Sequence, residues 1–290
     1  MSQAAIVGKA PLAIPSNRGK MVRIEPPRGW LDLRLGDVWE YRELVYFFVW
    51  RDVKIRYKQT VIGVLWVVIQ PLLTMGVFTI FFGRLAKLPS EGLPYPVFYF
   101  AAIVPWAYFS AALASCTAVL VANQHVITKV YFPRLVLPLA AVSSGLVDLA
   151  IGLVVMLIIA LAYGFRPGFA VLLIPLFVLF ALATALAIGL WTSALNALYR
   201  DMAAIVPFVI QFLMLASPVA YSSTLLPPRW RALYHLNPMA NLIDGFRWVI
   251  TGHGQAPGPM AYVSAALVFV AAVGGLIFFQ RVEGTVVDRV

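Results

Sequence analysis

Long apolar runs are the feature that most constrains the fold of this 290-residue chain. Several runs reach about 20 residues with few charges, which is the length at which a helix crosses the hydrocarbon layer of a bilayer. Hydrophobic residues make up 62% of the chain and charged residues 12%, about half the charged share of a soluble domain. A soluble core could not bury so much apolar surface. The sequence therefore predicts an all-α membrane protein.

Six segments are predicted to span the membrane, and they are residues 61–82, 95–121, 136–163, 169–195, 203–221 and 260–279. An even number of spans places both termini on one side. Lys and Arg near helix ends are retained in the cytoplasm, and 16 of the 22 basic residues fall on the side of the termini. We therefore expect cytoplasmic N- and C-termini. Orientation explains the net charge of +10 better than nucleic-acid binding, because no folded basic surface is evident.

The N-terminal region divides into two parts before the first span. Residues 1–29 are rich in Pro and predict a disordered cytoplasmic arm. Within residues 30–60, Asp37 followed by Glu40 forms a helix-start signal, and aromatic residues then alternate with charged ones. This pattern favours an amphipathic helix in the membrane interface, although a buried helix of a small soluble domain is the alternative. The charged segment that follows contributes the candidate interface residues Arg51, Asp52, Arg56 and Tyr57.

The stretch between the fifth and sixth spans is too apolar for a free loop and too interrupted to span. Pro227 and Pro228 are suited to open one short helix, and Asn237 to cap a second that ends near Thr251 with Gly252 as its stop. We predict two short re-entrant helices at the outer face within residues 226–252. The candidate site residues there are Trp230, Asn237, Pro238, Asp244 and Arg247. The six-helix domain is predicted to cover residues 61–282 and a cytoplasmic tail residues 283–290.

Motifs for catalysis, nucleotide binding and metal binding are missing from the sequence. No GxxxxGK[ST] phosphate loop occurs, and the three His residues are scattered without ligand spacing. The single Cys116 has no partner for a disulfide. We expect that the chain alone is not an enzyme and binds neither a metal nor a cofactor.

Two features of the predicted spans allow a functional and a structural interpretation. Asp148 is the one acidic residue in a predicted span, so it is a functional candidate, but it is equally suited to link helices near an interface. Aromatic residues crowd the first two spans. They fit an interfacial belt, or a channel wall that contacts the apolar faces of sugar rings. The channel-lining candidates are Trp66, Phe78, Tyr99 and Phe109.

The predicted cytoplasmic loop 122–135 is short, amphipathic and ends near a proline. It could be a simple connector, but an exposed apolar set of this size indicates that a partner or lipid covers it. The candidate docking residues are Asn123, Gln124, Val126, Ile127, Lys129, Val130, Phe132, Pro133 and Arg134. We expect Val126, Val130 and Phe132 to act as apolar anchors, with Lys129 and Arg134 at the polar rim.

Four motifs resemble those of one family of transport proteins. Residues 51–66, followed by Gln70-Pro71, resemble the start of the first membrane helix in permease subunits of ABC exporters of cell-surface polysaccharides. The core of the loop, residues 129–134, resembles the coupling region of the same family. Residues 199–201 and 237–239 fit the family pattern as well. The resemblance covers about residues 35–285.

The resemblance implies a homodimer of permeases in the bacterial inner membrane, paired with two separate subunits that bind ATP and Mg²⁺. Such a complex exports a lipid-linked polysaccharide of the O-antigen, capsule or teichoic acid type. Loop 122–135 would then dock on the ATPase, and residues 226–252 would form the outer gate. An exporter of a smaller lipid, drug or oligosaccharide is the first alternative. A membrane-embedded transferase is a weaker one, because no convergent set of acid and base residues is evident.

Overall fold

The computed structural model describes residues 35–58, 61–254 and 256–289, with side chains described for residues 36–58, 65–254 and 256–283. The predicted arm at residues 1–29 lies outside the described residues. So do residues 30–34, the pair at 59–60 and the last residue of the predicted tail. Every regular element in the described part of the chain is helical.

The α-helices of the described residues are α1 Leu35–Glu40, α2 Arg42–Lys58, α3 Val61–Phe78, α4 Tyr95–Ala122, α5 Gln124–Ile127, α6 Val136–Ser144, α7 Leu146–Ala162, α8 Ile174–Leu198, α9 Met202–Leu215, α10 Pro228–Tyr234, α11 Pro238–Thr251 and α12 Pro259–Arg289. A π-helical segment, Thr79–Leu85, extends α3. Short 3₁₀ segments, Phe169–Leu173 and Ser223–Leu225, precede α8 and α10.

Five helical segments are long and apolar enough to cross a membrane, and they are Leu65–Leu85, Tyr95–Ala122, Val136–Ala162, Phe169–Leu198 and Pro259–Glu283. Each coincides with one of the predicted spans. The predicted span at residues 203–221 differs, because its helix α9 has 14 residues and turns follow it. Such a helix is about 21 Å long, shorter than the hydrocarbon core of about 30 Å.

Helix α4 is the centre of the packing. In its most apolar stretch 78% of the residues are buried, compared with 22% or less in the other four spanning segments. Helices α3, α6, α7, α8, α9 and α11 all contact it. Polar side chains reinforce the contact with α8. The Thr117 hydroxyl lies 2.8 Å from that of Thr192, and the Asn196 amide donates to the Thr117 carbonyl over 3.0 Å. Hydrogen bonds of this kind stabilise helix pairs in lipid.

Helices α8 and α12 form the most extensive helix pair of the structure. Trp191 of α8 stacks on Phe278 of α12 with ring centroids 5.1 Å apart, and its indole N–H donates to the Ala271 carbonyl over 2.9 Å. Because the indole both packs and donates, it fixes the register of the two helices.

The charged segment 51–58 is the C-terminal half of α2 and not a separate element. Helix α2 packs mainly on α6, the first part of the third span. Helix α1 contains the first residues of the predicted interface helix, and α2 joins the rest of it to the charged segment in one continuous helix. Its position relative to the membrane surface stays a prediction.

The two short helices between α9 and α12 begin and end close to the predicted residues. Pro228 opens α10. The Asn237 side chain accepts a hydrogen bond from the Met239 amide over 3.0 Å and so caps α11. Gly252 ends α11 at φ 68°, a left-handed conformation that favours glycine.

The contact between α8 and α11 depends on the missing side chain of Gly245. A Cβ atom at this position would lie 2.1 Å from Cε1 of Phe177. We expect Gly245→Ala to destabilise the protein by about 1–3 kcal/mol, because the Phe177 ring or α11 must move. Gly76→Ala is the matched control, since a Cβ there meets nothing within 4 Å. The melting temperature of each variant in detergent measures the effect, and equal values for the two variants would contradict this packing.

Candidate functional site

The segment 123–134 is held between α4 and α2 by its first residue. The Asn123 amide nitrogen donates to the Val119 carbonyl over 2.8 Å, which closes the end of α4. Its amide oxygen accepts a hydrogen bond from Nη1 of Arg51 over 3.1 Å. Arg51 also pairs with Asp52 at 2.8 Å. Two of the predicted interface residues thus orient the segment through one asparagine.

An aromatic contact makes the second connection between α2 and the segment 123–134. The rings of Phe48 and Phe132 lie 5.9 Å apart, and the Arg51 guanidinium carbon lies 4.7 Å from the centroid of Phe48. Phe132 is 4% exposed. Its predicted role as an anchor for a partner protein is therefore wrong, because its ring is already covered by the chain itself.

Other predicted docking residues also face inward. Ile127 is buried, and Val126 packs partly against the core. The Arg134 amide donates to Oε1 of Glu283 over 3.1 Å, and its guanidinium donates to the Glu283 carbonyl. Arg134 therefore ties the end of the segment to α12, and its expected place at a polar rim is corrected.

The exposed face of the segment contains two of the predicted docking residues, together with the unpredicted His125, Thr128 and Tyr131. Val130 and Tyr131 are 57% and 56% exposed, and Lys129 is exposed beside them. Tyr131 was missing from the predicted set. Gln124 and Pro133 are partly exposed. We call Lys129, Val130 and Tyr131 the outward patch.

Asp148, the carboxylate within a predicted span, is bound by side chains at the C-terminal end of α2. Arg56 donates to one carboxylate oxygen and Tyr57 to the other. Burial, and then the hydrogen bond to Asp148, raise the pKa of Tyr57, so its hydroxyl stays protonated and remains a donor. These contacts support the interpretation of Asp148 as a link between helices. They also bring together Arg56, Tyr57 and Asp148, a connection that the sequence pattern did not indicate.

At the other end of the spans, Arg247 ties α11 to two neighbours. Its side chain is fully buried, with Nη1 3.2 Å from a carboxylate oxygen of Asp244. Nη2 donates to the Pro218 carbonyl over 2.6 Å, and Nε donates to the Phe98 carbonyl over 3.2 Å. Burial raises the pKa of Asp244, and the charge of Arg247 opposes that shift. These two predicted gate residues are therefore internal.

The other predicted gate residues line an apolar cavity of about 600 Å³ between α4, α8, α9 and the short helices. Trp230, Asn237 and Pro238 form part of its wall, and Phe109 of α4 reaches it from the core. The predicted gate set is thus divided between a buried ion pair and the wall of this cavity.

The four channel-lining candidates occupy three different environments. Trp66 is 53% exposed on the outside of α3. Tyr99 is fully buried in α4, and Phe78 stacks on it with centroids 4.5 Å apart. In this conformation Tyr99 and Phe78 pack within the protomer and do not form a wall, so that part of the prediction is corrected. Phe109 borders the cavity described above.

The described residues contain no group of three His, Cys, Asp or Glu side chains that could hold a metal ion. The arrangement instead offers an outward patch at one end of the spans and an apolar cavity that extends from α10 and α11 to the middle of α4 and α8. Neither place brings together the acid and base side chains that a transferase site requires.

The chain is similar to known membrane proteins over most of its length. The sequence profile of a family described as ABC-2 type transporter matches residues 43–251. The O-antigen export system permease protein RfbA of Myxococcus xanthus is 30% identical over 252 residues, which cover 85% of this chain and 96% of that protein. A Klebsiella pneumoniae protein of the same name is 25% identical over 80% of this chain and 89% of its own length. The inner membrane transport permease YadH of Escherichia coli K12 is 28% identical over 67% of this chain and 79% of its own length.

The buried pair of Asp244 and Arg247 generates a stability prediction. Arg247→Met should destabilise the protein by about 3–5 kcal/mol, because it leaves the Asp244 carboxylate buried without its cation. The double variant Arg247→Met/Asp244→Leu should be more stable than Arg247→Met alone. It should stay below wild type, since the carbonyls of Phe98 and Pro218 lose their donor.

Unfolding of the detergent-solubilised protein, followed by tryptophan fluorescence, measures these differences. Arg229→Met is the matched control, because Arg229 is exposed, and changes at such sites are usually within about 0.5 kcal/mol. A double variant that is no more stable than Arg247→Met would show that the buried charge of Asp244 is not the source of the loss.

Proposed function

Because this chain belongs to the ABC-2 type transporter family, we propose that it is the permease subunit of an ABC exporter for a lipid-linked, O-antigen-like polysaccharide. The observation that carries the proposal is its similarity to two O-antigen export permeases over nearly their whole length. Similarity of that extent is not limited to one motif, because it includes the spans, the outward patch and the cavity together. The substrate would cross the bacterial inner membrane.

The energy for export comes from a partner, in this proposal. The sequence carries no phosphate loop, so ATP and Mg²⁺ would bind to a separate subunit and the permease alone would not be an enzyme. Two permeases and two ATPase subunits would form the complex. The exposed apolar face of α3 and its extension, with Trp66, Leu73, Val77 and Phe81, is suited to contact the second permease copy.

The proposed topology has six spans with both termini in the cytoplasm. Helix α9 would serve as the fifth span, completed by the turns that lead to Tyr221. The distribution of Lys and Arg supports this orientation. The junction of α2 with the segment 123–134 then lies at the cytoplasmic side, and α10 and α11 lie at the outer side.

Coupling to the ATPase would use the outward patch. Val130 and Tyr131 offer exposed apolar surface, and Lys129 offers a charge at its edge. The inward residues Phe132 and Asn123 connect the same segment to α2. A displacement of the patch by the ATPase would therefore reach α2 and, through Arg56 and Tyr57, the third span.

The path of the polysaccharide would pass the apolar cavity beneath α10 and α11. Phe109 and Trp230 border this cavity, and aromatic rings can contact the C–H faces of sugars without holding them by strong hydrogen bonds. The buried Arg247 would hold α11 in place while the less tightly packed α10, with Trp230 half exposed, moves as the outer gate.

An exporter of a smaller lipid, drug or oligosaccharide remains the second candidate. The similarity to YadH supports it, because that protein is named a transport permease without a polysaccharide substrate. Measurement of the total and the surface-exposed polysaccharide of the cell distinguishes the two candidate substrates.

Deletion of the gene should leave lipid-linked polymer inside the cell, because its ATP-driven route through the membrane is lost. We expect the surface polymer to fall to background while membrane-associated polymer accumulates, and the wild-type gene to restore export. Labelling of intact and lysed cells with a polymer-specific antibody measures both pools. Wild-type amounts of surface polymer in the deletion strain would exclude the polysaccharide substrate and favour a smaller one.

The proposed role of the outward patch predicts that a substitution within it impairs assembly with the ATPase subunit. Val130→Asp should lower the affinity for the ATPase subunit by about tenfold or more, because a charge replaces a central apolar contact. Co-purification of the two subunits at graded ATPase concentrations measures the affinity. Leu233→Asp is the matched control, since Leu233 is equally exposed but belongs to α10 at the opposite end. Equal retention of the ATPase by both variants would contradict the proposed docking surface.

A further inference from the structure

An apolar groove of about 450 Å³ lies where α1 and α2 meet α6, α8 and α12. Three of these five helices belong to segments that are long and apolar enough to span a membrane, so we expect the groove to face lipid. Its volume is comparable to that of one fatty acyl chain. Aliphatic side chains form most of the wall, among them Val38, Val45, Leu139, Leu190, Val273 and Leu276. A wall of this kind offers water too few polar partners to hold it.

One cation lines the same groove. The Arg42 guanidinium carbon lies 5.6 Å from the ring centroid of Trp39, and its Nη1 donates to the Trp39 carbonyl over 3.3 Å. Arg42 is exposed. Among the described side chains, no carboxylate forms a salt bridge with it. The guanidinium is therefore positioned by Trp39 and keeps donors available for an anion.

We propose that the groove binds one acidic phospholipid, with an acyl chain against the aliphatic wall and the phosphate at Arg42. A cation beside an apolar slot complements such a lipid, whose charge adjoins its chains. Placement of the site in the cytoplasmic leaflet rests on the orientation proposed above. Binding itself does not depend on that orientation or on polysaccharide export.

The bound lipid would act on the coupling region through α2. The groove contacts α2 at Arg42 and Val45, one turn before Phe48, which packs on Phe132. One turn after Phe48, Arg51 donates to Asn123. An acyl chain under the start of α2 therefore supports the same helix that positions the segment 123–134. The lipid becomes a structural part of the connection between the membrane and the docking surface.

Native mass spectrometry of the purified chain in detergent tests the proposal with three added lipids. These are phosphatidylglycerol, phosphatidylethanolamine and a polyprenyl phosphate, each added at the same concentration. We expect one phosphatidylglycerol per chain, retained about fivefold better than phosphatidylethanolamine, since one basic residue near lipid phosphate contributes about that factor. Arg42→Ala should remove the preference. Arg229→Ala should keep it, although Arg229 stands in a similar geometry 5.8 Å from the Trp230 ring.

A second pair of variants tests the apolar wall. Val273→Trp should fill the groove and reduce the retention of both phospholipids, whereas Val270→Trp should not. Val270 is 66% exposed on the same helix and lies outside the groove lining. Unchanged retention in Arg42→Ala and in Val273→Trp would overturn the site. Preferential retention of the polyprenyl phosphate would also overturn it, because the occupant would then be the lipid carrier of a glycan. Export is not measured, so a failure of the proposed function would leave this result unaffected.

Discussion

Hydrocarbon supplies no hydrogen-bond partners, so a polar side chain within the membrane is stabilised when it finds its partner in the protein. In this structure such pairs join elements that are distant in sequence. Arg56 and Tyr57 bind Asp148, and Trp191 donates to the Ala271 carbonyl. Apolar packing alone allows helices to slide, since lipid tails are as apolar as leucine. The polar contacts fix the axial position of each helix relative to its neighbour. The surfaces at both ends of the helices depend on that relative position.

The segment 123–134 has an inward face and an outward face. Phe132 and Asn123 bind α2, whereas Val130 and Tyr131 remain outside. A segment held only by its own backbone would bend when a partner presses on it. Because the inward face is attached to α2, a movement of the outward patch reaches a 17-residue helix. The proposed lipid under the start of that helix would add a third attachment and make the coupling region sensitive to membrane composition.

The opposite end of the protein combines a rigid part with an open part. Arg247 binds one carboxylate and the carbonyls of Phe98 and Pro218, so α11 is fixed to α4 and to the turns after α9. Helix α10 and Trp230 border the cavity and pack less tightly. Arg247 thus joins α11 to distant parts of the chain, whereas Arg231 and Tyr234 of α10 donate hydrogen bonds to residues 221–226, just before that helix. Such a division would suit the proposed outer gate.

Local sequence signals determined much of the architecture. The lengths of the apolar runs predicted six spanning helices, and five of these coincide with long apolar helices of the structure. Asn237 and Gly252 predicted the two ends of α11, because helix capping depends on adjacent residues. The motifs at residues 51–66 and 129–134 indicated the family. The tertiary structure alone decided which side chains face inward, as Phe132, Tyr99 and Arg134 illustrate. Helix α4 is apolar on every side, and both lipid and protein core accept apolar residues. Hydrophobicity therefore cannot distinguish the face that meets lipid from the face that meets another helix, and only the contacts between helices make that distinction.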